Sequence, residues 1–224
     1  MENDFLKVIE TRRSCRKYKP EQITDEELKA VLEAGTYAPT SRGMQSPYIV
    51  AVQKKEVLAR LAKMNAKIMG VTSNPYYDAP TYVLVFAPSL ANNPVQDGSC
   101  VLENMMLAAH ALGLGSCWIH REREMFATEE GKQLMEEWGL PEGLMGIGAL
   151  SLGYPDGESA PAKPRKPEYF RVIKSGIKKR KDVSLKMSLR LLLNALAFSL
   201  KRPCVWFQTS KRLKCTENSC QFED

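Results

Sequence analysis

The stretch Val101 to Ile119, VLENMMLAAHALGLGSCWI, changes its period midway. Val101, Met105, Ala108, Ala109 and Leu112 recur at helical spacing and mark the buried stripe of a long helix. Gly113 and Gly115 end that pattern, and Ser116-Cys117-Trp118-Ile119 reads as a short strand. Upstream, Asp97 or Ser99 is placed to cap the helix. Thr81 to Ala87 (TYVLVFA) is continuously apolar, which predicts a strand buried on both faces.

Working outward, Tyr48 to Val52 and Leu144 to Leu152 read as further strands, the second carrying glycines. Phe5, Val8 and Ile9 suit a short helix before Thr11. Thr24-Asp25-Glu26-Glu27 is a capping box opening a helix through Leu28, Val31 and Leu32, with Gly35 as its expected stop. Lys55 to Lys67 is helical, and Ser73-Asn74-Pro75 is expected to break it. Residues 122–138 read as one helix that Gly131 weakens and Gly139 and Pro141 stop. Alternating helices and strands by themselves suggest a parallel α/β sheet, although strand direction is not written in the sequence.

The 224 residues, 44% hydrophobic and 26% charged, suit one domain, or one domain plus an appendage. That composition excludes a wholly disordered, collagen-like or coiled-coil chain. The net charge of +6 is unevenly placed: residues 175–224 hold 11 Lys/Arg against 4 Asp/Glu. The first 174 residues are therefore near neutral, which argues against a nucleic-acid-binding body. The six cysteines form no CxxC pair, so reduced thiols in a cytoplasmic protein are expected. Met1 to Phe5 shows no basic region followed by an apolar run, so no secretory signal is expected. Leu185 to Leu200, with Lys186 and Arg190 inside it, is too short and polar to span a membrane.

Arg12, Arg13, Ser14 and Arg16 form one cationic cluster, and Lys163-Pro164-Arg165-Lys166 another. Guanidinium forks match phosphate oxygens bidentately, and a hydroxyl adds a donor. Taken alone, the first cluster also fits a solvated turn and the second a surface linker. There is no P-loop, and Gly146-Ile147-Gly148 lacks the third glycine of a dinucleotide fingerprint and falls inside a strand. HExxH is absent and there are two histidines, so no metal site is expected. His110 reads as a packed helix residue, Cys117 as a structural thiol, and His120 as a site candidate after a strand. A phosphate-bearing ligand without a protein nucleophile suits an enzyme whose cofactor performs the chemistry.

Four segments in order make the chain resemble the FMN-dependent nitroreductase family over about residues 5–174. Arg12-Arg13-Ser14-Cys15-Arg16-Lys17-Tyr18 is similar to the family's RRSxRxY/F signature. Ala38 to Pro47 is similar to its APSxxNxQP loop, Asn104 to Ile119 to its NMxLAAxxLGLGSCWI segment, and Leu152-Gly153-Tyr154-Pro155 with Lys163 to Pro167 to its LGYP…KxRKP ending. The resemblance implies an α+β fold around a mostly antiparallel sheet flanked by helices, in place of the parallel sheet, and a homodimer with FMN at the interface. It implies that Arg12, Arg13, Ser14 and Arg16 grip the phosphate and ribityl end, with Arg12 or Arg16 also facing the flavin pyrimidine. It further implies that Lys163 and Arg165 complete the phosphate site, that Pro39, Thr40, Ser41 and Gln45 come from the partner subunit, and that Trp118, Ile119, His120 and Arg121 line the isoalloxazine. The implied activity is ping-pong electron transfer from NAD(P)H to nitroaromatic, quinone or similar small-molecule acceptors. No side-chain acid or base is required, so no catalytic residue is named. A non-catalytic flavin-storage protein is the alternative.

Two departures bear on the acceptor. Gly43 stands where the family often has Asn, and His120-Arg121 is basic where other members often carry an acidic or small residue. That basic pair is expected to favour anionic acceptors. The implied domains are residues 1–174, which bind FMN, and a basic extension, 175–224. In the extension Leu185, Leu189, Leu192, Leu196 and Leu200 form an amphipathic stripe. It suits a dimer arm, a membrane-surface helix or a non-functional extension.

Overall fold

In the computed structural model, residues 3–159 and 161–174 are described, together with the backbone of 214–216 and 219–221. The leucine stripe of 185–200 lies outside the described residues. The chain divides into two compact units, Met1–Pro164 and Arg165–Asp224.

The first unit runs α1 (Asp4–Thr11), α2 (Asp25–Thr36), β1 (Tyr48–Val52), α3 (Lys55–Met69), β2 (Thr81–Pro88), α4 (Pro94–Ala111), β3 (Gly115–Ile119), α5 (Glu122–Ala127), α6 (Glu129–Glu137) and β4 (Leu144–Gly153). The sheet order is β1-β2-β4-β3 and every strand pair is antiparallel. The parallel sheet suggested by alternation is thus corrected, and the α+β expectation holds. Alternation does not record which end of the sheet each connection delivers. The non-helical residues 70–80 between α3 and β2 can span up to about 36 Å, enough to reverse the next strand.

Side chains of β2 alternate between two cores. Tyr82, Leu84 and Phe86 join Leu61 and Met64 of α3, Met125 and Phe126 of α5 and Leu134 of α6. Val83, Val85 and Ala87 join Val31 of α2 and Val101, Leu102, Met105 and Ala109 of α4. Residues 81–87 are all buried, as the continuous apolar run predicts. Phe86 and Phe126 meet edge to face at 4.7 Å between ring centroids. Pairing of β2 with β4 slips between Val85 and Phe86, from Gly148 to Gly146, so Ile147 is the extra residue of a bulge.

Several boundaries differ from the sequence expectation. The Thr24 capping box is complete, but α2 continues through Gly35 to Thr36. Gly35 is a close-approach position: a Cβ there would lie 2.8 Å from Met105 Cγ. The α3 helix ends at Gly70, φ 69°, before the Asn-Pro turn. Asn93 is the N-cap residue of α4, with Pro94 at its first position, so neither Asp97 nor Ser99 caps it. Residues 122–138 form two helices, and Thr128 caps the second by accepting from Gly131 N–H at 3.1 Å.

In the second unit the short strands β5 (Lys214–Thr216) and β6 (Ser219–Gln221) pair antiparallel, and Lys166 Nζ lies 4.8 Å from the Tyr169 ring centroid.

At Gly131 a Cβ would sit 2.2 Å from the Met125 carbonyl oxygen and 2.6 Å from Phe126 Cα, so the close corner between α5 and α6 requires glycine. Gly131→Ala is expected to destabilise the fold by about 1–3 kcal/mol through overpacking against backbone. A lower urea midpoint at constant slope is the expected result; a loss below about 0.5 kcal/mol would show that the corner can open freely.

Candidate functional site

The basic run begins where α1 ends. Arg12 is the C-cap, its backbone N–H donating to the Val8 carbonyl. Ser14 then bridges Ser116 in parallel, and Cys15 N–H donates to the Ser116 carbonyl at 2.9 Å. Tyr18 bridges Pro155, and its hydroxyl donates to the carbonyls of Cys15 at 2.9 Å and Ser151 at 3.2 Å. The run is thus strung between the start of β3 and the end of β4. Gly115 permits the approach, since a Cβ there would come within 2.7 Å of Cys15 Sγ.

The three arginines have different surroundings. Arg13 folds back, Nη1 donating to the carbonyls of Glu10 at 2.8 Å and Arg12 at 2.6 Å. Arg16 is exposed; its Nε donates to the Tyr77 hydroxyl at 3.3 Å, and its guanidinium carbon lies 5.8 Å from that ring's centroid. The hydrogen bond to Tyr77 is the first cause holding Arg16 still more firmly in its charged form. Arg12 Nη1 is buried and finds no hydrogen-bond acceptor among the described residues. A buried cationic donor is costly unless an acceptor meets it, so this nitrogen marks a place for a ligand oxygen.

Neighbouring groups leave that charge intact. His110 Nε2 lies 2.8 Å from Thr11 Oγ1, and burial first, then the charges of Arg12 and Arg13, lower its pKa. The imidazole is therefore neutral at pH 7. Burial raises the Cys117 thiol above its ordinary value against the opposing pull of Arg16. A buried, protonated thiol suits packing rather than nucleophilic attack. Cys117 also places β3 and the basic run in one region, because Ser14, Arg16 and Arg12 all act on it.

Beyond Cys117, Trp118 is half-buried over Gly148, where a Cβ would meet the indole Nε1 at 2.8 Å. Ile119 is buried and His120 exposed. Arg121 caps α5 at φ 88°, a left-handed conformation uncommon outside glycine.

Pro39, Thr40, Ser41 and Gln45 sit elsewhere. Ser41 N–H donates to both carboxylate oxygens of buried Asp97 at 3.0 Å, and Asn93 Nδ2 donates to Ser41 Oγ at 3.1 Å. Thr40 Oγ1 accepts from Gln45 N–H at 2.9 Å, while Arg42, Gly43 and Gln45 are left-handed. Asp97 anchors this loop at the amino end of α4, whereas His110 meets Thr11 at the other end. At 1.5 Å per residue the two anchors are about 20 Å apart along the helix. Within one chain the loop and the basic run are not brought together. Lys163 is the penultimate residue of the first compact unit and Arg165 opens the second; both are exposed.

Sequence reasoning missed Tyr77, Asp97 as a loop anchor, and the buried residues Asn65, Tyr76 and Glu122 beneath the His120 turn. The Asn-Pro pair before Tyr76 was a usable signal for a built turn; nothing local marked Asn65 or Glu122.

These features define an α+β protein whose antiparallel sheet carries a cationic segment with a buried arginine nitrogen that has no partner among the described residues. A family model described as the nitroreductase family matches residues 9–154, and the chain belongs to that family. A relative from Archaeoglobus fulgidus, provisionally named NADH dehydrogenase/NAD(P)H nitroreductase, is 36% identical over 163 residues, covering 69% of this chain and 87% of its own. The NADPH-flavin oxidoreductase of Vibrio harveyi is 29% identical over 187 residues, covering 76% and 73%. The crystal structure of a nitroreductase with bound FMN from Bacteroides fragilis has a TM-score of 0.72 at 30% identity, covering 77% of this chain and all of that one.

Asp97→Ala removes the acceptor for the Ser41 amide. It is expected to destabilise the chain by about 1–3 kcal/mol and to speed amide exchange from Ser41 to Gln45, read by hydrogen-exchange mass spectrometry. Unchanged exchange there would show that the loop holds itself.

Proposed function

We propose that this protein is an NAD(P)H-dependent flavin oxidoreductase that holds FMN and reduces nitroaromatics, quinones or similar acceptors. The observation that carries this reading is the buried Arg12 nitrogen without an acceptor, in a fold shared with an FMN-bound nitroreductase. An anionic phosphate or a flavin carbonyl oxygen would satisfy it, so the residues present fit the cofactor.

Arg12, Ser14 and Arg16 would grip the phosphate and ribityl end. Arg13 would brace the run through its own backbone, with Nε and Nη2 left for the ligand. Lys163 and Arg165 would complete the phosphate site, and the backbone of Trp118, Ile119, His120 and Arg121 would line the ring. Bound FMN would supply the redox chemistry, accepting hydride from NAD(P)H and passing electrons to the acceptor in a ping-pong cycle. The protein's part would be positioning and charge: Arg12, Arg13 and Arg16 would stabilise negative charge on the ligand, and no protein nucleophile would be needed.

The separation of the two anchors along α4 supports a homodimer in which Pro39, Thr40, Ser41 and Gln45 reach the site from the second copy. The cofactor-binding domain in this reading is residues 1–174, with 175–224 an extension. A cytoplasmic location is supported by Cys15, Cys100 and Cys117, which are free thiols. Among the described residues no helix is long and apolar enough to cross a membrane.

Purified protein is expected to show flavin absorbance that bleaches within seconds on anaerobic NADPH or NADH. Persistent colour would favour flavin storage, and protein that cannot be loaded with FMN would overturn the reading. Arg12→Ala is expected to weaken FMN binding about 10- to 100-fold, the scale of one charge-assisted hydrogen bond. His120→Ala and Arg121→Ala should each lower turnover of carboxylate-bearing acceptors relative to neutral ones; an unchanged ranking would remove the basic pair from acceptor selection.

A further inference from the structure

Behind the His120–Arg121 turn lies a polar cluster closed to solvent. Asn65 of α3, Tyr76 and Glu122 of α5 are all 0% exposed. The Tyr76 hydroxyl donates to Glu122 Oε1 at 2.9 Å, and Asn65 Nδ2 donates to the His120 carbonyl at 2.9 Å. The Asn65 amide also acts on the Tyr76 hydroxyl. Tyr76 is fixed independently: its ring stacks on Tyr82 at 4.0 Å, and its carbonyl accepts the Ser151 hydroxyl at 2.9 Å.

Two polar atoms of this cluster have no partner among the described residues, Asn65 Oδ1 and Glu122 Oε2. If Glu122 were ionised, both would be acceptors, and neither could satisfy the other. A proton on Oε2 converts one of them into a donor and makes the two complementary, directly or through one water.

We propose that Glu122 is a positioning residue that works as a neutral acid: it donates toward Asn65 Oδ1, which orients the amide so that Nδ2 holds the His120 carbonyl and fixes the turn against the flavin. The last clause rests on the proposed function; the hydrogen-bond relay does not. An ionised carboxyl would leave Asn65 Oδ1 without a donor, so the amide's orientation at the His120 carbonyl would no longer be set from this side.

The groups acting on Glu122 are Tyr76 from the 74–79 turn and Arg121 and Glu124 from its own segment; Asn65 from α3 acts on Tyr76, which in turn donates to Glu122. From β4 the contact is Gly146, where a Cβ would meet the Glu122 carbonyl oxygen at 2.4 Å. Burial, the largest cause, lifts the carboxyl from 4.5 to about 8; Glu124 adds to the rise, while the Tyr76 hydrogen bond and Arg121 oppose it. Below 4.5 the folded and unfolded chains both hold the proton, and between 4.5 and 8 only the folded chain does. Stability from this group therefore falls as pH rises through that window and levels off above it.

The test compares wild type with Glu122→Gln, a neutral isostere, and Glu122→Ala. The wild-type-minus-Gln infrared difference spectrum at pH 7 should carry a protonated-carboxyl band that fades by pH 9. Wild-type thermal stability should fall between pH 5 and 8 more steeply than that of the Gln variant. FMN affinity of the wild type should drop about tenfold above pH 8, the scale of one hydrogen bond, while the Gln variant stays flat. Ala should weaken FMN at pH 7, and Gln should restore it. No carboxyl band at pH 7, or the same pH dependence of FMN affinity in wild type and Gln variant, overturns the proposal. Failure to bind FMN at any pH overturns the flavin reading instead, and the infrared and stability measurements then decide the relay alone.

Discussion

A strand that is apolar on both faces has to be covered twice, and the rest of this molecule follows from that. Residues 81–87 are fully buried, so β2 cannot stand at an edge and must have helices on each side. One face takes α3, α5 and α6, the other α2 and α4. The partner strand β4 shares the same burial and carries glycines where neighbours press closest, Glu122 backbone at Gly146 and the Trp118 indole at Gly148. Edge positions are left to β1 and β3, and the proposed site gathers along β3, whose outer side pairs with the basic run at Ser116.

Much of this was legible in residue patterns because it is local. The capping box at Thr24, the double-faced run of β2 and the glycine stop at Gly113 are each decided by a few neighbouring residues. Strand direction was not legible, since it depends on how far a connection travels. Gly35 and Gly131 misled for the same reason: they read as helix breakers along the chain but exist for contacts with Met105 and with the Met125 carbonyl. The basic run was visible as a cationic cluster, yet its internal division was not. Only the fold shows Arg13 turned back on its own backbone and Arg12 left with a buried unpartnered nitrogen. Asp97, which looked like a cap, proved to be the anchor of a loop 56 residues before it.

The α4 helix keeps two parts of the proposed site at a distance. Its first turn fixes the loop around Ser41 and its last turn meets Thr11 beside the arginines. A rigid rod between them makes the site, as proposed, a property of two chains rather than one. The buried cluster under His120 adds a second kind of control: the same turn that lines the proposed ring site is held from behind by groups with no access to solvent.

The pairing of Ser14 and Cys15 with Ser116 also protects the protein from itself. The outer side of β3 would otherwise offer unpaired amides and carbonyls to a neighbouring molecule, the usual route by which sheet edges seed aggregation. The segment that carries the arginines covers the start of that edge. The proposed ligand grip and the shielding of this edge are thereby tied to the same few residues, so a chain trimmed at its amino end would lose its guard against clumping along with its cationic cluster.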